Sequence, residues 1–458
     1  MKRDLFVKNG TLVMPAGPVQ ADLLIREGVI ASVGKSLEVS EVRTLDAGGC
    51  LVFPGVVDPH VQFEVVHTHV SMTDDFDTGT KAAACGGVTT IIDFADQPKG
   101  VDALTYLRDR KAVADAKVNV DYTLHMSITD LSGGALNEIP AIVREEAIPS
   151  FKLYLTYRKM NRMINDGQMF AVMRAVASVG GIVGVHAESD SLVEYLTEEL
   201  IQKGETDPCY FPQSRPDIAE AISVATAIEV ARATGCDLYV HHVSTALAID
   251  HIARAKREGV RVWAETCPHY LILTDEVYTG EDRFLYIMKP PLRSAKDRER
   301  LWIAVQKGEI DTIGTDHCSY MKEQKTKHTS FDQTPPGIPG IETLLPVMYT
   351  EGVAKGRVSL ERLLELLCAN PARIFGLFPR KGTLSIGSDG DLVIFDPNAP
   401  WTLKAGLLQT HSDFSAFENM PLAGRVKKTI LRGEVVYENG KFCGTSHGGK
   451  FVIGIAQR

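Results

Sequence analysis

The spacing of apolar positions changes twice along the 458-residue chain. The first 53 residues read as short strands: DLFVKNGTLVM (4–14), ADLLIREGVIASVG (21–34) and the start of EVRTLDAGGCLVFP (41–54). Asn9-Gly10 and Glu27-Gly28 are expected at hairpin turns, where such pairs are favoured. The same texture returns in GSDGDLVIFDPNAPWTL (387–403) and KKTILRGEVVYENGKF (427–442). Two β-rich ends around a different middle predict one small β-sandwich domain, built from residues 1–53 and 380–458.

The middle, residues 54–379, changes rhythm at Pro54-Gly55. Eight short apolar runs recur: VVDPH (56–60), TTIIDFA (89–95), VDYTLHMS (120–127), SFKLYL (150–155), GIVGVHAE (181–188), DLYVHHVS (237–244), RVWAETCPHYL (261–271) and DTIGTDH (311–317). Helix-like segments such as TGTKAAACGG (78–87), MFAVMRAVASVG (169–180) and IAEAISVATAIEVARATG (218–235) separate them. Strands alternating with helices mean βαβ units and a parallel sheet. Eight in one block predict an α/β fold of the (β/α)8, or TIM-barrel, type. An open doubly wound sheet would carry a Gly-rich phosphate loop after its first strand, and this sequence has none there.

Composition narrows the class. Hydrophobic residues make up 44% and charged residues 23%, as in a soluble globular protein. A net charge of -9 argues against non-specific nucleic-acid binding, which needs a basic footprint. No apolar run reaches the roughly 18 residues of a membrane span, and the first residues lack the apolar stretch of a signal peptide. Eight scattered cysteines without a CxxC pair read as reduced thiols. The cytoplasm is the expected compartment.

Barrel enzymes keep their chemistry at the C-terminal ends of the strands. His60, Lys152, His186, His242 and Asp316 all fall there. A single strand-end histidine is usually structural, and of adjacent His241 and His242 only one can face inward, because strand side chains alternate. Five metal-capable groups at strand ends are harder to explain that way. Lys152 stands in the apolar run FKLYL, so it is expected to be buried. A lysine buried beside metal ligands should lose its proton, and a neutral amine can take up carbon dioxide to give an anionic carbamate able to bridge two metals.

Together these stretches resemble the cyclic amidohydrolases, and most closely the hydantoinase and dihydropyrimidinase branch. The resemblance is carried by PGVVDPH (54–60), DDFDTGTKAAACGGVTTIIDF (74–94), SFKLYLTY (150–157), VGVHAES (183–189), VHHVS (240–244), TCPHYL (266–271), PPLRS (290–294), IGTDHCSY (313–320), PGIPGIET (336–343) and GTLSIGSDGDLVIFDP (382–397). It implies a binuclear metal centre, usually of zinc (Zn2+). The first metal would be held by His60, position 62, Lys152 as N6-carboxylysine, and Asp316. The second would be held by Lys152, His186 and His242. Position 62 is Gln62 rather than histidine. Its amide oxygen is a weaker zinc ligand than imidazole. Three readings stay open: Gln62 coordinates, His67 or His69 folds back to substitute, or the first metal is weakly held. His67 and His69 are preferred as solvated loop residues.

The implied activity is ring opening of a cyclic amide, with metal-activated hydroxide attacking a ring carbonyl. Asp316 is the expected base and acid, and Tyr157 the expected donor to the developing oxyanion. Substrate contacts are expected at Tyr157, Lys289 and Pro336. Where the branch commonly has serine this chain has Lys289, and where it has asparagine this chain has Pro336. Proline removes a backbone N–H. Dihydroorotases use an arginine soon after the first histidine pair, and QFEVV (62–66) has none. The alternatives are a non-catalytic scaffold on the same fold, an allantoinase-like enzyme or another amide hydrolase. A homotetramer, or a homodimer, is implied for the assembly.

Overall fold

Eight short strands, each paired in parallel with the next, form the centre of the molecule. They are β1 (Val56–Asp58), β2 (Val88–Asp96), β3 (Asp121–Ser127), β4 (Ser150–Tyr154), β5 (Ile182–His186), β6 (Asp237–Val240), β7 (Val262–Thr266) and β8 (Thr312–Ile313). A parallel bridge between Val61 and His317 joins the first to the last and closes the barrel. The computed structural model describes residues 4–67 and 70–456. Helices such as Phe76–Cys85, Asp166–Ala177 and Asp217–Thr234 lie between the strands. β2 is buried along eight of its nine residues, as expected for a strand covered on both faces.

Several of the strand runs are shorter than the sequence pattern suggests. β6 stops at Val240, so His241 and His242 lie in the turn beyond it, and β8 stops at Ile313. The run 261–271 is strand only to Thr266. Pro268 has no N–H to give a ladder but suits the first helical position, and Pro268–Ile272 is a helix.

The two chain ends share one nine-stranded mixed sheet. Leu51–Pro54 pairs with Leu5–Met14 on one side and with Leu392–Asp396 on the other. Leu23, Ile25, Val52, Leu392, Ile394 and Ile430 belong to a core separate from that of the barrel. Glu27-Gly28 makes the expected turn between Gly17–Arg26 and Val29–Gly34. Asn9-Gly10 does not turn: Leu5–Met14 runs straight through it. The register with Gly17–Arg26 shifts between Val7 and Gly10, and Asn9 has φ 61 with its N–H donated to Asp22. The tolerance of Asn for positive φ has been used for a bulge instead of a hairpin.

Beyond this sheet the tail returns to the N-terminal end of the barrel. Val452 donates its N–H to Tyr122, Gly454 to Ala147 and Ile455 to Gly376. Among the described residues no helix is long and apolar enough to cross a membrane. All eight cysteines are free.

Candidate metal centre and active site

The five strand-end groups meet at the C-terminal mouth of the barrel. His60 follows β1 by two residues, Lys152 lies in β4, His186 ends β5, His242 follows β6 by two residues, and Asp316 follows β8 by three. In β4, Ser150, Lys152 and Tyr154 share one face. That face looks inward, since Ser150 Oγ is 2.6 Å from His125 Nδ1 in the interior. His60 Nε2 lies 3.1 Å from Asp316 Oδ1, and ligand atoms of His60, His242 and Asp316 all lie within 4.8 Å of one another. The His186 and His242 rings are 4.5 Å apart. All five groups line one cavity.

A layer of carboxylates, which the sequence reading passed over, fixes these side chains. Glu265 at the end of β7 is fully buried. It accepts from His60 Nδ1 at 2.7 Å, from the His242 N–H at 3.0 Å and from the Tyr239 hydroxyl at 2.9 Å. One ring nitrogen of His60 is thereby tied down while Nε2 faces the cavity, the usual arrangement behind a metal-ligating histidine. Glu188 does the same for His186, 2.6 Å from its Nε2, and is itself paired with Arg215. The available signal was an acid inside an otherwise apolar run, VWAET or VGVHAE. Asp58, also buried, accepts the Thr315 N–H at 3.1 Å and so ties β1 to the segment carrying Asp316.

Burial and charge set the protonation states. Burial lowers the pKa of His186 and pushes that of His242 well down, so both are neutral imidazoles. Burial would do the same to His60, but Glu265 and Asp316 outweigh it and hold its pKa up at about 9. Burial would raise the Asp316 carboxyl; His60 pulls it below its usual range instead. Lys152 is 1% exposed and burial brings its pKa down to about 8, against the pull of Glu265 and Asp316. Its Nζ lies over the rings of Phe94 and Tyr154 and makes no ion pair among the described residues.

Both of the adjacent histidines are buried. His242, with φ 38, faces the cavity, whereas His241 sits deeper, against Gly184 of β5. A Cβ at position 184 would come within 2.3 Å of His241 Nε2, so only glycine leaves room for that ring. Asp316 (φ 49) and Tyr157 (φ 74) share the left-handed backbone of His242. Such conformations are uncommon outside glycine and concentrate at functional sites. Tyr157 points its hydroxyl to within 3.4 Å of His186 Nε2, and burial keeps it protonated.

Gln62 reaches the same cavity. Its Nε2 donates to Asp316 Oδ1 at 3.1 Å, the oxygen that also faces His60. The suggested substitutes cannot be placed: His69 and the side chain of His67 lie outside the described residues. Lys289, Pro336 and Gly337 form part of the cavity wall. A further buried lysine, Lys325, holds that wall together. Its Nζ donates to the carbonyls of Ile287 (2.8 Å), Pro335 (3.1 Å) and Gly337 (2.6 Å), joining the two segments that carry Lys289 and Pro336.

Comparison with known proteins agrees with this geometry. A model of the amidohydrolase family matches residues 51–436. The D-hydantoinase of Geobacillus stearothermophilus is 38% identical over 451 residues, covering 97% of this chain and 95% of that protein. The D-phenylhydantoinase of Escherichia coli K12 is 38% identical over 453 residues, 98% of this chain and 97% of that one. The crystal structure of dihydropyrimidinase from Brevibacillus agri NCHU1002 superposes with a TM-score of 0.97 at 33% identity, over 99% of both chains. An L-hydantoinase from Arthrobacter aurescens superposes at 0.90 with 34% identity, over 98% of this chain and 99% of that one. With matched barrel, matched end domain and near-complete coverage, the chain belongs to the amidohydrolase family.

Proposed function

We propose that this protein is a metal-dependent hydrolase that opens the ring of hydantoins or dihydropyrimidines. The observation that carries the reading is the meeting of His60, Lys152, His186, His242 and Asp316 on one cavity that also holds Tyr157. The donor set fits a zinc pair: His186 and His242 are already the neutral imidazoles that zinc binds, His60 would give up its proton to bind, and a desolvated lysine is the form that becomes N6-carboxylysine. Bound zinc would supply ionised water at neutral pH.

The chain's own residues do the rest. Asp316 is the one carboxylate among the described lining residues of the cavity. It takes up a proton and delivers it to the departing ring nitrogen. The Tyr157 hydroxyl donates to the carbonyl oxygen as charge develops there. Pro336 on the cavity wall has no N–H to offer a ring. Tyr157→Phe is expected to lower kcat by about 10²-fold while leaving zinc content unchanged. Steady-state kinetics beside metal analysis checks this, and an unaltered kcat would remove the role.

The reading is tested by metal analysis of the purified protein together with ring-opening assays on both enantiomers of substituted hydantoins, on dihydrouracil and on allantoin. Zinc bound with hydantoin or dihydrouracil opened is expected. A metal-free, inert protein would point to a scaffold. Opening of allantoin alone would move the protein to another substrate class.

Gln62 governs how firmly the first metal is held. Gln62→His should raise the zinc retained after dialysis against a chelator, because imidazole binds zinc better than an amide oxygen. Equal retention by the two proteins would show that Gln62 is no handicap. A homotetramer, or a homodimer, is the assembly to test by light scattering. Unpaired thiols suit the reducing cytoplasm.

A further inference from the structure

Lys289 stands on the wall between two cavities. One is the metal-site cavity; the other opens outward beside it and is walled by Val193, Ile201, Phe211 and Phe331. Lys289 and Tyr157 line both, and Lys289 Nζ lies 5.5 Å from the centre of the Tyr157 ring. The other cations around these cavities already have partners. Arg162 pairs with Asp96 at 2.8 Å, Lys159 with Glu198 at 2.7 Å, and Arg215 with Glu188. Apart from Lys152 of the metal group, Lys289 is the one lining cation with no carboxylate at ion-pair distance among the described residues. Most acids nearby are engaged elsewhere: Glu188 with Arg215 and His186, Asp332 with the Ser330 hydroxyl, Asp190 with Arg158 and Glu198 with Lys159; Glu194 also lines the outer cavity but forms no ion pair with Lys289.

A half-buried ammonium without a counter-charge is costly, and a ligand anion would relieve that cost. Burial, reinforced by Arg215, already holds the Lys289 pKa down at about 7. The surrounding wall is apolar enough to take the carbon arm of a substituent while the charged end meets Lys289.

Resting on the hydrolase reading above, we infer that the outer cavity receives the substituent of the cyclic amide and that Lys289 binds an acidic group at its end. The preferred substrates are then cyclic amides whose substituent ends in a carboxylate. Neither ring opening nor metal binding requires this feature, so the two ideas fail separately.

The test compares 5-(2-carboxyethyl)hydantoin with its near-isosteric amide, 5-(2-carbamoylethyl)hydantoin, on the zinc-loaded enzyme. A charge-assisted hydrogen bond predicts a kcat/KM ratio of about tenfold or more in favour of the acid. In Lys289→Met the ratio should collapse towards one, whatever happens to the absolute rates. In the wild type it should shrink as salt is raised. A wild-type ratio of one or below overturns the subsite without any variant, as does an undiminished ratio in Lys289→Met. If both hydantoins are opened equally well, only the acidic subsite falls. If neither hydantoin nor dihydrouracil is opened by the zinc-loaded protein, the hydrolase reading falls and takes this inference with it.

Discussion

Replacing Asp316 with asparagine should lower kcat for ring opening by roughly 10³-fold, the middle of the range for losing a positioned acid–base group. The size follows from the cavity's lining, in which no second described carboxylate could take over the proton. The substitution is nearly isosteric, so the turn at φ 49 and the approach of Gln62 should survive. Asparagine is among the residues that best tolerate this backbone. The first metal would be held less firmly as well. Zinc content and thermal midpoint must therefore be measured beside kcat, with zinc in excess. A variant that keeps its fold and its zinc yet turns over within tenfold of the wild type would show that Asp316 is not the proton carrier.

The barrel and the five groups gathered at its mouth were legible in the sequence for a local reason. A lysine inside FKLYL, or a histidine ending an apolar run, contradicts its neighbours, and such contradictions concentrate at functional sites. What surrounds those groups was much less legible. Glu265 reaches His60 across 205 residues, and Asp58 reaches Thr315 across 257. Nothing in VWAET says which distant side chain will need its carboxylate. Lys325 was invisible for a related reason. It stands in a polar stretch, KEQKT, typical of a solvated helix, and is buried only because two later segments bring three carbonyls to it. The misread Asn9-Gly10 pair has the opposite cause: its local preference was read correctly, but a bulge satisfies that preference as well as a turn does.

The same dependence on distant partners sets the largest expected change in stability, at the seam between barrel and end domain. Lys381, 2% exposed, pairs with Asp121 of β3 at 2.5 Å, with Asp391 at 2.6 Å and with Asp389 at 2.9 Å. Arg432 also pairs with Asp121, and the Lys450 N–H of the tail donates to the same carboxylate. Arg380 pairs with Asp389 at 3.0 Å, so three carboxylates and three cations knit together the barrel floor, the end sheet and the tail. Burial alone would push the Asp121 carboxyl up, but Lys381 and Arg432 hold it below its usual range. Lys381→Met leaves Asp391 without its ion-pair partner, Asp121 with Arg432 alone and Asp389 with Arg380 alone, and should cost roughly 3–5 kcal/mol, as removing one partner of a buried ion pair does. A group with a depressed folded pKa contributes stability above its unfolded value, and that stability is lost as pH falls through the folded value. The gap between wild type and variant should therefore be widest near neutral pH and narrow below about pH 4, where the carboxylates no longer need a counter-charge. Urea unfolding of both proteins across that range reads the effect directly. A gap that stays constant with pH would mean that Lys381 stabilises by packing its carbon chain, and that the charges at the seam contribute nothing net.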